Sequence, residues 1–264
     1  MIPMWRRVAE MLGVYKVYEW LLDREVRKGS IPKHVAFILD GNRRWARRRG
    51  FPPWLGHRFG ADRVEDVLEW CYDLGINTVT LYVLSTENLK NRSKEELEHI
   101  FDLLDQKLDE VESSEKIKKR EVRIKVIGDT SLLPERLREK IARIEKNTIH
   151  YNKRFLNIAL AYGGRKEIVD AVKRIFSEVC SGKLSIDDID ENLFSRYLYT
   201  GDIPYPEPDL VIRTSGEVRI SNFLLYQIAY SELVFLDVYW PEFRKIDLLR
   251  ALRTYQSRKR RWGG

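Results

Sequence analysis

Six short runs of apolar residues, rich in β-branched and aromatic side chains, punctuate the chain: His34–Leu39, Thr78–Leu84, Val122–Ile127, Leu156–Tyr162, Leu210–Ile212 and Leu233–Tyr239. Each is of strand length, and several are apolar throughout instead of alternating, the pattern of strands covered on both faces. Between most of them, apolar residues recur at three- and four-residue steps. Val64, Val67, Leu68, Cys71 and Leu74 form one stripe, Leu97, Ile100, Phe101, Leu104, Leu108 and Val111 a second, and Ile168, Val169, Val172 and Phe176 a third. That spacing predicts helices with one apolar face. Strand and helix therefore alternate, which predicts an α/β fold: one domain with a largely parallel six-stranded sheet flanked by helices.

The first thirty residues read differently. Ile2, Trp5, Val8, Leu12, Tyr15, Tyr18 and Leu22 share one helical face, with Arg6, Arg7, Lys16 and Arg24 at polar positions. Residues 1–30 are expected to form an amphipathic helical segment, either lying in a membrane interface or docked on the domain of residues 31–264. The three prolines near residues 201–208 mark a loop inside that domain.

The polar clusters at the ends of the strands narrow the function. The runs end in Asp40-Gly41-Asn42-Arg43-Arg44, Ser85-Thr86-Glu87-Asn88, Gly128-Asp129, Gly163-Gly164-Arg165 and Arg213-Thr214-Ser215-Gly216-Glu217. Ligands of open parallel sheets bind outside the carboxyl ends of the strands, so these clusters converge on one edge if the strands are as read. The 264 residues suffice for one sizeable domain, and 44% hydrophobic content excludes global disorder. A net charge of +7 favours an anionic partner: nucleic acid, a membrane surface or phosphorylated substrates. No basic–aromatic interleaving of a nucleic-acid module is present, and no nucleic acid is expected as partner. Cys71 and Cys180 form no CxxC pair and read as reduced core residues, with no zinc site. No apolar run approaches the ~20 residues of a membrane span and no signal-peptide pattern is found, so a cytoplasmic protein, at most peripheral to the membrane, is expected.

The Asp40 cluster combines a carboxylate with backbone and guanidinium donors. Arg43 and Arg44 can fork onto phosphate oxygens, and Asp40 can hold Mg²⁺ that bridges them; a plain loop aspartate is the competing reading. Arg47, Arg48 and Arg49 read as a solvated basic face. Arg213, Arg219 and Ser221 offer a second anion site. Glu232, entering the last apolar run, is either structurally paired or a metal ligand.

The order Asp40-Gly-Asn-Arg-Arg-Trp45, Gly56-His57, Ser85-Thr-Glu-Asn88, Ile127-Gly-Asp129, Asn157-Ile-Ala, Tyr162-Gly-Gly-Arg165, Asp209-Leu-Val-Ile-Arg-Thr-Ser-Gly-Glu217, Arg219-Ile-Ser-Asn-Phe-Leu-Leu225, Gln227 and Trp240-Pro241 resembles the cis-prenyltransferases, the undecaprenyl and dehydrodolichyl diphosphate synthases, from about residue 30 onward. The resemblance implies repeated condensation of isopentenyl diphosphate onto an allylic diphosphate, farnesyl or geranylgeranyl, giving the polyprenyl diphosphate precursor of a glycosyl-carrier lipid. It implies Mg²⁺ on Asp40, with Glu232 as a second metal-linked carboxylate. Gly41, Asn42, Arg43, Arg44 and Trp45 would cradle the allylic diphosphate, with His57 nearby. Arg213, Arg219, Ile220 and Ser221 would hold isopentenyl diphosphate. Ser85, Thr86, Glu87 and Arg92 would line the site, and Asn88 matches a position proposed as proton acceptor. Arg261 and Gly263 resemble the family's Arg-x-Gly tail, which reaches the partner subunit's site and so implies a homodimer. The two long helical stripes would wall a hydrophobic tunnel for the product.

Three positions depart from the pattern. Pro53 stands where many members place an arginine, a contact then missing or supplied by Arg49. Leu89-Lys90-Asn91-Arg92 carries an extra residue and no tryptophan, and Val218 replaces a histidine frequent in bacterial members. The Thr-Ser-Gly-Glu form resembles archaeal members more than bacterial ones, which favours the longer primer. A non-catalytic partner subunit is the alternative, against which the retained Asp40, Arg44, Arg213, Arg219 and Glu232 count. Asp187-Asp188-Ile189-Asp190 lacks the DDxxD spacing of all-trans synthases and is expected to cap a helix.

Overall fold

The computed structural model describes residues 14–258. Six strands, β1 His34–Ile38, β2 Thr78–Ser85, β3 Val122–Ile127, β4 Arg154–Tyr162, β5 Leu210–Arg213 and β6 Glu232–Phe235, form one sheet in the order β3-β4-β2-β1-β5-β6. Every neighbouring pair is parallel. The helices among the described residues are α1 Val14–Val26, α2 Asn42–Arg48, α3 Pro53–Asp73, α4 Thr86–Asn91, α5 Lys94–Ser113, α6 Glu115–Arg120, α7 Glu135–Thr148, α8 Gly164–Cys180, α9 Glu191–Tyr197 and α10 Lys245–Ser257.

Both faces of the sheet are covered, and the two-residue alternation of strands decides which side chain goes where. Val35 and Phe37 of β1 join Val79 and Leu81 of β2 in a large core that also takes apolar residues of α1, α3, α5, α7 and α10. Ala36 and Ile38 turn the other way, toward Tyr82, Tyr162, Phe223 and Leu224. Chain direction then puts the strand-to-helix turns on a single edge, as a parallel sheet requires.

The last strand is shorter than its apolar run. Beyond Phe235 the backbone leaves the sheet to bind the turn after β5, through Gly216 N–H to Leu236 O (2.9 Å) and Ser215 N–H to Val238 O (2.7 Å). The third stripe is a helix, α8, but Val169, Val172 and Phe176 are exposed while Glu167, Ala171 and Ile175 are buried. A buried polar cluster sets that face: Glu167 accepts from Tyr199 N (2.7 Å) and Gln227 Nε2 (2.9 Å). Cys71 is buried as expected, whereas Cys180 is exposed at the end of α8, because the helix runs out into solvent there. Asp190 caps α9, accepting from Leu193 N at 2.6 Å.

The described part of the N-terminal segment packs against α10: Leu22 and Val26 are buried, and Gln256 of α10 donates to Val26 O (2.8 Å). Val17, Trp20 and Leu21 on its outer face are exposed. Ile2, Trp5, Val8 and Leu12 lie outside the described residues. Among the described residues no helix is long and apolar enough to cross a membrane.

Candidate active site at the carboxyl edge of the sheet

Asp40 sits two residues past β1 because Thr214, just past β5, holds its backbone on both sides. The Thr214 hydroxyl accepts from Asp40 N (3.0 Å) and lies 2.7 Å from Asp40 O. The chain then turns through Gly41, whose φ of 105° is left-handed; a Cβ there would also stand 2.6 Å from the Tyr239 ring. That turn sends Arg43, Arg44 and Trp45 up α2.

The first and fifth clusters meet directly. Arg213, 4% exposed, donates to Asp40 Oδ2 (2.7 Å), to Ser221 Oγ (2.7 Å) and to Arg219 O. Arg44 donates to Ser215 Oγ (2.6 Å) and to Glu217 Oε1 (2.9 Å), with Asp40 Oδ1 3.4 Å away. Arg219 takes the other oxygen of Glu217. Tyr239 lies under the Arg44 and Arg48 guanidiniums at 5.7 and 4.8 Å, a cation–π floor. Burial works to raise the Asp40 carboxyl, but the hydrogen bond and charge of Arg213, helped by Arg44, override it and hold the group below the usual carboxylate range. Arg213 Nε is buried without a partner, as are Arg92 Nε and Asn42 Oδ1, which leaves hydrogen-bonding capacity for a ligand.

A second group adjoins it. His57 on α3, Arg92 just past α4 and Glu96 on α5 come together, with Arg92 Nη1 3.1 Å from His57 Nε2 and Glu96 3.4 Å from both. Arg43 reaches Glu96 at 3.6 Å. Burial, joined by the charges of Arg92 and Arg43, pushes His57 down against the pull of Glu96, so the ring is neutral near pH 7. Its Nε2 therefore accepts from Arg92 and cannot also donate to Glu96. The extra residue before Arg92 is thus absorbed in α4, and the guanidinium arrives despite it.

From this edge an apolar cavity of about 550 Å³ runs between α3, α5 and the sheet. Asn42, His57 and Arg92 line one end, Val64, Leu68, Leu104, Leu108 and Ile158 the walls, and Lys116 and Arg120 of α6 the other end. The first two helical stripes of the sequence therefore supply wall as well as core. Val67 and Cys71 do not contribute, being packed wholly inside the core.

The other expected residues take varied places. Ser85 caps α4 by accepting from Asn88 N (3.0 Å), and Thr86 donates to Glu87 Oε2 (3.2 Å). Trp45 is buried, donating to Glu242 (3.2 Å), and shapes the site from behind. Ile220 is partly buried and packs against the second core cluster, that of Ile38, Tyr82 and Phe223. Glu232 is not beside Asp40 within the chain. It opens β6 opposite Leu210, roughly 16 Å of strand rise from Asp40, and pairs with Arg258 at 2.6 Å. Arg49 does not replace the arginine missing at Pro53: Pro53 opens α3, and Arg49 is drawn to Glu242 (2.6 Å) and the Trp45 ring. Val218 is 75% exposed. Arg261 and Gly263 lie outside the described residues. Sequence reasoning passed over Glu96, Ser215 and Glu217 as site residues. Glu217 closes the Thr-Ser-Gly-Glu string, a signal that was present; Glu96 sits three residues after Ser93, where it reads as part of a helix cap.

For a cation the Asp40 carboxylate is the donor this edge offers, and no group of three or more His, Cys, Asp or Glu side chains gathers among the described residues. That fits magnesium, which dehydrates reluctantly and is commonly held by one or two carboxylates together with substrate phosphates; it does not fit an all-protein metal centre.

Comparison with known proteins places this geometry. The family model described as "Putative undecaprenyl diphosphate synthase" matches residues 38–263. The chain is 56% identical over 250 residues to the tritrans,polycis-undecaprenyl-diphosphate synthase (geranylgeranyl-diphosphate specific) of Methanopyrus kandleri, covering 95% of this chain and 91% of that one. It is 55% identical over 249 residues to the protein of the same description from Pyrococcus horikoshii, covering 94% and 93%. Among solved structures, lavandulyl diphosphate synthase from Lavandula x intermedia in complex with dimethylallyl diphosphate superposes with a TM-score of 0.83 at 37% identity, covering 91% of this chain and 100% of that one.

Proposed function

The chain belongs to the undecaprenyl diphosphate synthase family of cis-prenyltransferases, and from that premise we propose that it extends geranylgeranyl diphosphate with successive isopentenyl diphosphates into a long polyprenyl diphosphate. The observation that carries the reading is the meeting of Asp40, Arg44 and Arg213 next in the chain to Leu39 and Asn42, which line an apolar cavity. The choice of primer over farnesyl diphosphate is supported by the description of the archaeal relatives.

The residues divide the work by charge and position. Arg43, Arg44 and Asn42 lie where an allylic diphosphate can rest with its prenyl tail in the cavity. Arg213, Arg219 and Ser221 lie where isopentenyl diphosphate can rest. Because Arg213 touches both Asp40 and Ser221, the two pockets are held side by side, which replaces a bimolecular encounter by a fixed approach of double bond to allylic carbon. As the allylic carbon–oxygen bond breaks, the guanidiniums stabilise charge growing on the departing diphosphate. Asp40 would be the residue that holds magnesium, whose charge would help neutralise the departing diphosphate. Asn88, in α4 just after β2, stays our candidate for taking the proton that completes the new double bond. The apolar walls hold the lengthening chain away from water.

A second copy of the chain, engaged through Arg261 and Gly263, and a peripheral membrane contact for release of the lipid product belong to the same reading. Incubation of the purified chain with labelled isopentenyl diphosphate, magnesium and either farnesyl or geranylgeranyl diphosphate, followed by sizing of products, tests it. Long products from geranylgeranyl diphosphate are expected. No elongation of any primer by the chain alone overturns the reading in favour of a non-catalytic subunit.

A further inference from the structure

Asn222 follows Ser221 in the loop after β5 and joins three separate segments. Its backbone carbonyl accepts from Gly164 N (2.8 Å), and its side-chain Oδ1 accepts from Arg165 N (2.9 Å), both at the start of α8. Its Nδ2 donates to Glu87 Oε1 (2.8 Å), in the segment after β2. The amide orientation is fixed by chemistry, since the N–H must face the oxygen and the carboxylate must face the amino group. The fit is close: a Cβ on Gly163 would stand 2.9 Å from Asn222 Nδ2, and one on Gly164 would stand 3.2 Å from Asn222 O.

The loop is shaped around this joint. Ser221, Asn222 and Leu224 have φ of 50°, 62° and 43°, all left-handed, and asparagine tolerates that region better than most side chains. Tyr82 donates to Ser221 O (3.2 Å), and Phe223 stacks on the Tyr82 ring at 4.5 Å. Ser221 itself stays exposed with its hydroxyl on Arg213. Glu87 is a carboxylate here: burial works to raise it, but donors that include its own N–H, Asn222, Ser85 and Thr86 hold it down.

Resting on the prenyltransferase reading, we propose that Asn222 is a positioning residue for the isopentenyl diphosphate pocket, clamping the Arg219–Ser221 loop to the Glu87 segment and to α8 so that Ser221 and Arg213 face the Asp40 pocket at a fixed distance. Only an amide meets all three demands. Aspartate could accept from Arg165 but would set a second carboxylate against Glu87. Glycine would keep the backbone and lose both side-chain bonds.

The test is a double-mutant cycle on the full chain, with each substrate varied separately and thermal melts run in parallel. N222D is expected to raise KM for isopentenyl diphosphate at least tenfold and to lower kcat, with KM for the allylic primer within twofold of the parent. N222G is expected to do the same with its melting temperature retained. N222D/E87Q is expected to recover most of the N222D loss, because the amide introduced at position 87 can donate to the carboxylate introduced at 222. A double variant no better than N222D, or parent-like kinetics in both single variants at position 222, overturns the role. Calorimetric titration with isopentenyl diphosphate alone separates the two ideas. Binding weakened by N222D in a chain that elongates nothing sinks the prenyltransferase reading and keeps the clamp; equal binding in both sinks the clamp.

Discussion

Asp40 has an observed partner and a proposed one, and they pull it in different directions. In the free chain it balances Arg213, a guanidinium almost removed from water, and in the proposed complex it would turn toward the diphosphate and its metal. Asp40→Asn keeps the shape and removes the charge, while Arg213 retains Ser221 Oγ and Arg219 O as acceptors. Turnover is expected to fall on the order of 10²–10³-fold, the range seen when one preorganised electrostatic group is lost. Incorporation of labelled isopentenyl diphosphate measures it. A loss under tenfold, or activity that survives EDTA, contradicts the assignment. Arg213→Lys is expected to be nearly as damaging, because an ammonium cannot reproduce the planar fork that reaches Asp40 and Ser221 together; parent-like incorporation by that variant would contradict the fork. At this scale the sequence was readable where residues act through local strings: Asp40 to Arg44, or Arg213 to Ser221. Glu96 and Asn222 were not, because each acquires meaning only from partners on other elements, His57 and Arg92 for the first, Glu87 and Arg165 for the second.

Helices α3 and α5 illustrate how far periodicity carries. Their apolar stripes announced helices and an apolar face, yet a stripe does not say whether its face meets other side chains or an empty space. Val67 went to the core and Leu68 to the cavity, one residue apart. In α8 the stripe misled about the face altogether, since a hydrogen-bonded buried Glu167 outweighed exposed Val169 and Phe176. The strands were easier because both faces of a parallel sheet are covered, so an unbroken apolar run of that length fits little else. For α5 the geometry yields an ordered prediction. Glu96 stands beside His57, Leu104 lies about 12 Å further along the helix and Val111 about 22 Å, at 1.5 Å per residue. Leu104→Trp is therefore expected to stop the product at a shorter length than Val111→Trp, with both shorter than the parent. Sizing of labelled products decides it, and equal lengths, or the reverse order, would show that the prenyl chain does not run along α5.

Across the whole molecule one polar group lies where the fold has few ways to solvate it. His34, fully buried at the start of β1, holds Thr80 Oγ1 at 2.7 Å, and Asn157 Nδ2 donates to the same oxygen at 2.9 Å, so three neighbouring strands are tied inside the sheet. Burial pushes the ring down to about 4, against the opposing pull of the Tyr205 backbone, the Asp209 charge and the Glu207 backbone. The unfolded chain, with an ordinary histidine near 6.5, binds the proton first as pH falls, so acid favours unfolding. The contribution is complete above about pH 6.5 and is lost on the way down to about pH 4, amounting to about 3 kcal/mol. Carboxylates held low by partners, among them Asp129 and Asp170, add their own losses at the acid end of that window and below, so the parent alone cannot isolate the histidine. His34→Gln can, because the amide, able to donate or to accept, can keep the hydrogen bond to Thr80 and does not titrate. Denaturant unfolding at pH 7 and pH 4 is expected to show the parent losing about 3 kcal/mol more than the variant over that interval. Parallel losses in the two proteins would mean that the sheet opens to water before His34 is protonated, and that this buried tie does not set the acid limit of the fold.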